Sequence, residues 1–284
     1  RENRLFGQLD DQQLIHHLGG TVPKCRTTKK TVVTIYDVQY RDYPKYFSLA
    51  KRRYLDGAIQ RSLEQAEAVC TLSKYCAKSL EVHFGYPEKK CHIVPPAIDG
   101  PSSRQPQTSE SKQFLFYPAV TWPHKAHEFL ITLLEQIPEL QLILTGGPGT
   151  SHRRVMNAIR RSPAADRITH LGMVDADRLD LLYKQPLCTV FPNKDERLGQ
   201  QVIETMTRGC PVISSQCGAL PETVGTGGVT LPMDIDQWAE AIQLIRQPDP
   251  RQQWTEAGLL RAADFSHDRT AETQVAVYTE LLGR

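Results

Sequence analysis

Short apolar segments alternate with helical repeats between residues 114 and 245, and this alternation constrains the fold more than any other feature of the chain. The apolar segments predict buried strands at 114–118, 140–145, 168–171, 187–191, 211–215 and 228–231. Apolar residues with helical spacing predict helices at 126–137, 151–161, 176–184, 200–208 and around 238–245. Strands that alternate with helices of this length predict an α/β domain with a parallel, doubly wound sheet.

The length of 284 residues suggests about two domains. Residues 101–113 are polar, rich in Pro and Ser and without periodicity, which predicts a linker. The linker would separate residues 1–100 from the larger domain at 114–267. The first part also alternates, with predicted strands at 31–36, 68–72 and 91–94, so a second α/β layer is expected there. With three or four strands, this first domain is predicted to be shortened.

Charge and cysteine usage exclude several function classes. The net charge is +2, and no aromatic–basic interleaving is present, so a nucleic-acid partner is not expected. Residues 1–100 carry 16 Lys and Arg against 11 Asp and Glu, which favours either a solvated face or contact with an anionic lipid surface. The seven cysteines form no CxxC pair, which is typical of reduced thiols rather than zinc ligands or disulfides.

No apolar stretch approaches the roughly 18 residues that span a bilayer. The chain also starts without a basic-then-apolar signal segment. A cytoplasmic protein is therefore predicted, with peripheral contact at the inner face of the membrane as an option.

The strongest local feature lies where the strand 187–191 ends. A polar loop with Asp195 and Glu196 leads to Gly199, which is predicted to open a helix carrying Glu204. Ligands bind at the carboxyl ends of parallel strands, and a helix N-terminus there favours phosphate. Two carboxylates beside such a site could accept hydrogen bonds from sugar and ribose hydroxyls. The alternative is that these acids only complement the helix dipole or lie on the surface.

A second feature follows the strand 114–118, where Lys125 is predicted in the first turn of a helix. A lysine there could reach a phosphate, or it could simply be solvated. His124 and His127 are three residues apart, but no third ligand is evident, which favours surface histidines over a metal pair.

Two strand ends carry weaker signals. Gly146 and Gly147 follow the strand 140–145 and predict a turn in which two backbone segments approach closely. Tyr36 and Asp37 end the strand 31–36, a position where catalytic groups often lie. The alternative is that Asp37 caps the next turn.

Together these segments resemble the retaining glycosyltransferases of the GT-B fold, specifically glycosyltransferase family four (group 1). The run from Glu196 to Glu204 is similar to the family's Glu-seven-residues-Glu motif, and residues 209–225 are similar to the strand and Leu-Pro-Glu turn that follow it. Residues 117–127 resemble the phosphate-binding strand and turn, and residues 169–185 resemble the segment that cradles the nucleobase. The resemblance implies two Rossmann-like doubly wound domains facing a cleft, the first incomplete, with a helix at 268–284 that crosses back to the first domain.

The resemblance also implies roles for individual residues. Glu196 would contact the transferred sugar, Lys125 would neutralise the leaving diphosphate, and Glu204 would hold the ribose hydroxyls. Further donor contacts would come from Arg197, Leu198, Gly199, Gln200 and Gly146, and from Met173, Val174 and Leu179 around the base. Tyr36 and Asp37 would be contacts from the first domain. The implied enzyme is a hexosyltransferase that moves a sugar from a GDP- or UDP-linked donor to a saccharide or lipid-linked acceptor, in polysaccharide or glycan assembly, without a cofactor or an obligatory metal.

The chain departs from the family pattern at four positions. Arg197 stands where the family usually has a glycine, so a specificity change or an added phosphate contact is expected. Val120 replaces a second cation, and Tyr36 and Tyr40 replace histidines. These departures keep two alternatives open: a non-catalytic module that binds nucleotide sugars or a partner, and a phosphorylase or hydrolase on the same fold.

Overall fold

The computed structural model describes residues 13–24, 28–100 and 113–283. The predicted linker therefore lies outside the described residues, apart from Gln113. The chain divides into two compact units. The first contains the described residues up to Ala97 and from His267 onward, and the second contains those from Ile98 to Ser266.

The first unit is built on a parallel sheet of four strands in the order β1-β2-β3-β4. The strands are β1 (Leu14–His17), β2 (Lys30–Thr34), β3 (Ala68–Thr71) and β4 (Cys91–Ile93). Its α-helices are Gln39–Asp42, Leu49–Gln65, Lys74–Phe84 and His267–Leu282, with 3₁₀ turns at Pro44–Tyr46 and Glu88–Lys90.

Side chains alternate between the two faces of this sheet, because successive residues of a strand point to opposite sides. Val33 packs in a cluster with Ile59 and Leu80, which come from the two helices that follow β2 and β3. Val32 packs on the other face with Val277 from the helix His267–Leu282. The last helix of the chain thus covers one face of the first sheet.

Local sequence signals fix two of these helices. The Ser48 hydroxyl accepts a hydrogen bond from the Lys51 N–H at 3.3 Å, and the Ser73 hydroxyl accepts one from the Cys76 N–H at 3.1 Å. Both serines act as N-caps. Gly85, with φ of +67°, ends the second of these helices in the left-handed conformation that glycine favours.

The second unit is built on a parallel sheet of six strands in the order β10-β9-β8-β5-β6-β7. The strands are β5 (Phe114–Pro118), β6 (Gln141–Thr145), β7 (Ile168–His170), β8 (Cys188–Phe191), β9 (Val212–Ser215) and β10 (Val229–Leu231). Its α-helices are His127–Glu135, His152–Arg161, Ala176–Lys184, Gln200–Thr207, Leu220–Val224, Ile235–Ile245 and Pro248–Ala262, with 3₁₀ turns at Pro123–Lys125, Ala165–Arg167 and Ala263–Phe265. The central strands are buried on both faces, as expected of a parallel sheet between two helical layers.

The winding direction of this sheet reverses between β5 and β8. The chain runs outward from β5 through β6 to β7, then crosses to β8 on the other side of β5 and continues to β9 and β10. In open α/β sheets, ligands bind beyond the carboxyl ends of the strands at such a reversal.

The predicted α/β class with parallel sheets is confirmed in both units. The structure also contains elements that the sequence pattern did not predict. These are β1, the short helices Gln39–Asp42 and Leu220–Val224, the second of them in place of a turn, and the helix Pro248–Ala262. In the part of the chain that is described, every helix lacks the combination of length and apolarity needed to cross a membrane.

Candidate active site

Loops that follow four strands of the second unit are joined at the carboxyl edge of the sheet. The Lys194 N–H donates a hydrogen bond to the His124 carbonyl at 2.7 Å, which ties the loop after β8 to the loop after β5. The Ala219 N–H donates to the Glu196 carbonyl at 2.8 Å and ties in the loop after β9. The Thr121 N–H donates to the Gly147 carbonyl at 3.3 Å and ties in the loop after β6. Side chains that are distant in sequence are thereby held at one edge.

Lys125 and Glu196 form an ion pair at this edge. The Lys125 ammonium donates to Glu196 Oε2 at 2.7 Å, and the two side chains are 14% and 16% exposed. Lys125 follows β5 and Glu196 follows β8, so the pair lies at the reversal of the sheet. The structure thus brings together the two residues for which the family resemblance implies catalytic roles.

Several donors stabilise the ionised form of Glu196. Burial alone would raise the pKa of this carboxyl, but the Lys125 ammonium, the Arg197 N–H at 3.1 Å and the Asn193 amide at 2.8 Å outweigh that effect and lower the pKa. The Tyr117 hydroxyl lies 2.5 Å from Asn193 Oδ1 and orients the amide. Asn193 and Tyr117 were not predicted, although a tyrosine in an otherwise apolar strand is a signal for a buried hydrogen bond.

Two glycines allow these loops to approach each other. Gly218 has φ of +62°, and a Cβ placed on it would lie 2.2 Å from the Glu196 carbonyl oxygen. Gly146 has φ of +119°, and a Cβ there would lie 2.5 Å from the Ala119 carbonyl oxygen. Any side chain at either position would displace the backbone beside Lys125 or Glu196, so both turns require glycine.

The helix Gln200–Thr207 begins beside the ion pair. Gly199 precedes it with φ of +87°, and the first intrahelical bonds run from the Val202 and Ile203 N–H groups to the Gly199 carbonyl. The N–H groups at the start of a helix have no intrahelical acceptor and point out of its end, where they bind anions. The side chain of Leu198 is buried and that of Gln200 is exposed, so any contact from Leu198 to a donor would be through its backbone.

Glu204, the second predicted carboxylate, lies one turn into that helix and is half-buried. Its Oε2 accepts a hydrogen bond from the Tyr183 hydroxyl at 2.7 Å, and its Oε1 accepts one from the Gln200 amide at 3.0 Å.

The three predicted base-pocket residues differ in exposure. Met173 is 83% exposed, and a Cβ on Gly147 would lie 3.6 Å from its sulfur. Val174 and Leu179 are partly buried against an apolar cluster that contains Phe116. The exposed thioether of Met173 therefore lies beside the loop after β6.

Arg197 is 9% exposed, and its guanidinium lies 3.3 Å from the buried carboxylate of Asp195. Its positive charge is therefore balanced within the protein. The phosphate contact from this guanidinium that the sequence analysis raised stays a prediction.

The prediction that His127 is a surface histidine is wrong. It is fully buried, with Nε2 3.3 Å from the Ala119 carbonyl oxygen, and burial lowers its pKa to about 4. The physical reason is a break at Ala126, which has φ of +48° and separates the 3₁₀ turn of His124 from the helix that starts at His127. The two histidines therefore do not share one helical face.

In the first unit, Tyr36 and Asp37 follow β2 and are both exposed. Asp37 Oδ1 accepts a hydrogen bond from the Gln39 N–H at 2.9 Å, so the carboxylate caps the next turn. Tyr40, the second position where the family usually has a histidine, is 3% exposed and packs in the core. Across residues 13–24, 28–100 and 113–283, no group of three or more His, Cys, Asp or Glu is arranged to hold a metal ion.

Comparison with solved structures identifies the architecture. Sucrose-phosphate synthase from Thermosynechococcus elongatus matches with a TM-score of 0.77 and 21% identity, covering 99% of this chain and 76% of that one. Anabaena HepE in complex with UDP and glucose matches with a TM-score of 0.73 and 18% identity, covering 98% of this chain and 80% of that one. The two parallel α/β units therefore have the GT-B fold.

Sequence comparison then identifies the family. Residues 101–261 match the family described as Glycosyl transferases group 1, and residues 13–100 match Glycosyltransferase Family 4. The first match alone covers more than half of the 284 residues, so the chain belongs to the group 1 glycosyltransferases. Among curated proteins, the O-antigen chain mannosyltransferase B of Escherichia coli is 24% identical over 269 residues, which cover 88% of this chain and 70% of that protein.

Proposed function

We propose that this glycosyltransferase moves a hexose from a GDP- or UDP-linked donor to a saccharide or lipid-linked saccharide acceptor, with retention of anomeric configuration. The observation that carries the proposal is the Lys125–Glu196 pair at the reversal of the second sheet, beside the N-terminus of a helix that bears Glu204. A cation, an anion-binding helix end and two carboxylates match the chemical groups of a nucleotide sugar.

The leaving diphosphate is the part of the donor that needs the most stabilisation during the reaction. As the bond between the sugar and the diphosphate breaks, negative charge grows on the leaving oxygen and positive charge on the sugar ring. Fixed donors aimed at developing charge provide the largest part of such catalysis. We assign leaving-group stabilisation to the Lys125 ammonium and the helix N–H groups, the sugar hydroxyls to Glu196, and the ribose hydroxyls to Glu204.

Three observations support a nucleotide-linked hexose donor and a glycan acceptor. The curated relative named above is a mannosyltransferase of an O-antigen chain, and a solved structure with the same fold holds UDP and glucose. The exposed Met173 beside the Gly147 turn offers an apolar surface for a base. No role for a metal is part of the proposal.

A thermal-shift panel with UDP, GDP, ADP and TDP and their common sugar conjugates tests the donor site. A nucleotide at about 100 times its Kd adds roughly 2.7 kcal/mol to the free energy of unfolding, which raises the Tm by several degrees. We expect one base to give this shift. The shift should be smaller in Glu204→Ala, where nucleotide affinity falls by about 1–3 kcal/mol, and unchanged in Glu240→Ala, an exposed glutamate on the helix Ile235–Ile245.

Product analysis tests the reaction itself. The nucleotide sugar that binds is incubated with saccharide acceptors, and the anomeric configuration of the product is measured by NMR. The same configuration in donor and product supports retention, and inversion contradicts it. Binding without turnover on any acceptor would favour a non-catalytic module, and turnover that depends on inorganic phosphate would favour a phosphorylase.

We also infer that the first unit contacts an anionic membrane surface from the cytoplasmic side, where a lipid-linked acceptor would be presented. Tyr46, Leu49 and Tyr54 are 43%, 57% and 65% exposed, and the Lys45 ammonium lies 5.2 Å from the centre of the Tyr46 ring. Exposed apolar groups among cations are typical of interfacial segments. Co-sedimentation with phosphatidylglycerol vesicles but not with phosphatidylcholine vesicles supports this contact, and no binding to either contradicts it.

A further inference from the structure

The carboxylate of Glu204 is held by the protein on both of its oxygens. The Tyr183 hydroxyl donates to Oε2 at 2.7 Å, and the Gln200 amide donates to Oε1 at 3.0 Å. Each carboxylate oxygen can accept about two hydrogen bonds. Each oxygen of Glu204 therefore keeps one acceptor position while the rotation of the carboxylate is fixed. A pair of neighbouring hydroxyls, such as the 2′ and 3′ hydroxyls of a ribose, fits two acceptor positions of this kind.

The two donors are not equivalent. Gln200 is exposed and lies on the same helix as Glu204, so its amide can exchange with water. Tyr183 is 1% exposed and belongs to a different helix, Ala176–Lys184. Burial, together with the nearby charge of Glu204, raises the pKa of the Tyr183 hydroxyl well above its usual value. The Tyr183 hydroxyl therefore keeps its proton and is a permanent hydrogen-bond donor to Glu204.

The ring of Tyr183 has little freedom to move. The Phe116 ring packs edge to face against it with centres 5.4 Å apart, and the Arg208 guanidinium lies over it at 5.1 Å. The Tyr183 hydroxyl therefore donates its hydrogen bond to Glu204 from a fixed position, and this bond sets the orientation of the carboxylate.

Arg208 also ties the two helices together. Its Nε donates to Asp180 Oδ1 at 2.7 Å, and its Nη1 donates to the Glu204 carbonyl at 2.9 Å. Asp180 and Tyr183 lie on the helix Ala176–Lys184, which also carries Leu179 of the proposed base pocket, whereas Glu204 lies on the helix that is proposed to bind the ribose and phosphate. Arg208 thus joins the segments proposed to bind the base and the ribose through an ion pair and a hydrogen bond.

We propose that Tyr183 is a positioning residue for the donor ribose, which fixes the Glu204 carboxylate in the orientation that accepts the 2′ and 3′ hydroxyls. This inference rests on the proposed function, because it requires a nucleotide in the site. Tyr183 does not touch the donor; it acts through Glu204. Its contribution should therefore appear only with ligands that carry the hydroxyls that Glu204 recognises.

The experiment compares ribonucleotides with their 2′,3′-dideoxy counterparts, called the deoxy forms below, which lack both hydroxyls. Calorimetry gives Kd values of wild type and Tyr183→Phe for UDP and ddUDP, GDP and ddGDP, and ADP and ddADP. We expect wild type to prefer the ribo form of the bound nucleotide by about tenfold or more, the scale of a hydrogen bond to a charged group. In Tyr183→Phe the preference should fall to about threefold or less, while the Kd of the deoxy form stays within about twofold of wild type.

Tyr278→Phe is the matched control. It removes a tyrosine hydroxyl that contacts His16 at 2.6 Å in the first unit, and it should leave the preference for the ribo form unchanged. An unchanged preference in Tyr183→Phe overturns the inference. Equal weakening of the ribo and deoxy forms also overturns it, because that result describes a general structural loss.

Two other results of the experiment also need an interpretation: a variant that does not fold, and a wild type that binds no nucleotide. If Tyr183→Phe does not fold, Gln200→Ala replaces it, since this exposed side chain can be removed without opening the core. Gln200→Ala retains the Tyr183 hydroxyl, so it should keep the preference for the ribo form, and a fall to threefold or less would contradict Tyr183 as the residue that orients the carboxylate. If wild type itself binds none of the six nucleotides, the proposed function fails, and the inference fails with it.

Discussion

The strand ends of the two units hold their polar residues in different ways. In the second unit, the Lys125–Glu196 hydrogen bond joins loops that are 71 residues apart in sequence, and both side chains are largely buried. In the first unit, Asp37 bonds to a backbone N–H only two residues further on, and it remains exposed. The difference indicates which strand end is preorganised. Long-range contacts fix the position of the ion pair before any ligand arrives, whereas the hydrogen bond of Asp37 orders only the turn that follows it.

A contribution to the free energy of unfolding does not explain why the Lys125–Glu196 ion pair is present. Removing a lysine and a glutamate from water costs several kcal/mol per ion, and their mutual attraction often only offsets that cost. The support from Asn193 and the Arg197 N–H is directed at Glu196, whose pKa it helps to lower. A charged pair maintained at this cost, at the reversal of a parallel sheet, is typical of a binding site.

The largest effect should come from Lys125→Met, which removes the cation from the preorganised strand end. If the ammonium stabilises the leaving diphosphate, kcat should fall about 10²- to 10³-fold, the scale of losing one preorganised donor in a transition state. The measurement is the initial rate of nucleoside diphosphate release in the presence of the acceptor. Lys194→Met, at an exposed lysine in the loop after β8, is the control and should keep most of the activity. A loss of less than threefold in Lys125→Met would remove Lys125 from the catalytic assignment.

A smaller effect is expected from Gly218→Ala, which disturbs the backbone under the ion pair without changing a charge. The new Cβ would lie 2.2 Å from the Glu196 carbonyl oxygen, at a residue with φ of +62°. Left-handed strain and overpacking together should lower the free energy of unfolding by about 2–4 kcal/mol.

Gly172→Ala separates the effect of left-handed backbone strain from the effect of overpacking. Gly172 has φ of +69°, but no atom lies within 4 Å of a Cβ there. Only the left-handed strain remains, so the loss should be about 1 kcal/mol. Urea denaturation of both variants gives the comparison. Equal losses would mean that the loops beside Glu196 yield easily and that the strand end is less rigid than its contacts indicate.

Much of this site could be predicted because it depends on patterns within short windows. The strands β5, β6, β8 and β9 are apolar runs, and parallel strands bring their carboxyl ends to one edge, which places both Lys125 and Glu196 at that edge. Their direct contact depends on strand order. The order places β5 beside β8, and no local pattern specifies it.

The errors have local causes. β1 (Leu14–His17) contains two histidines in four residues and is only half-buried, so it lacks the apolar pattern of a strand. The helix Pro248–Ala262 starts with two prolines, which usually mark a loop but are tolerated in a first turn. His127 is buried because Ala126 takes a left-handed conformation, which no sequence pattern around an alanine predicts. Tyr183 could not be linked to Glu204, since that contact spans two helices that periodicity treats separately.

The smallest effect is expected from Asp37, and it tests the other half of the comparison. Asp37→Ala removes the acceptor that caps the turn at Gln39, which should lower the free energy of unfolding by about 0.5–1 kcal/mol. Asp37→Asn keeps an acceptor oxygen at the same position and should restore the stability, because the turn needs an oxygen and not a charge. If Asp37 only shapes its turn, the asparagine variant should also turn over donor and acceptor at the wild-type rate. A tenfold loss of kcat in Asp37→Asn at unchanged stability would show that the charge itself acts on the substrate. The strand end of the first unit would then be a second functional site. Its exposed carboxylate would contact the ligand without long-range contacts that fix its position beforehand.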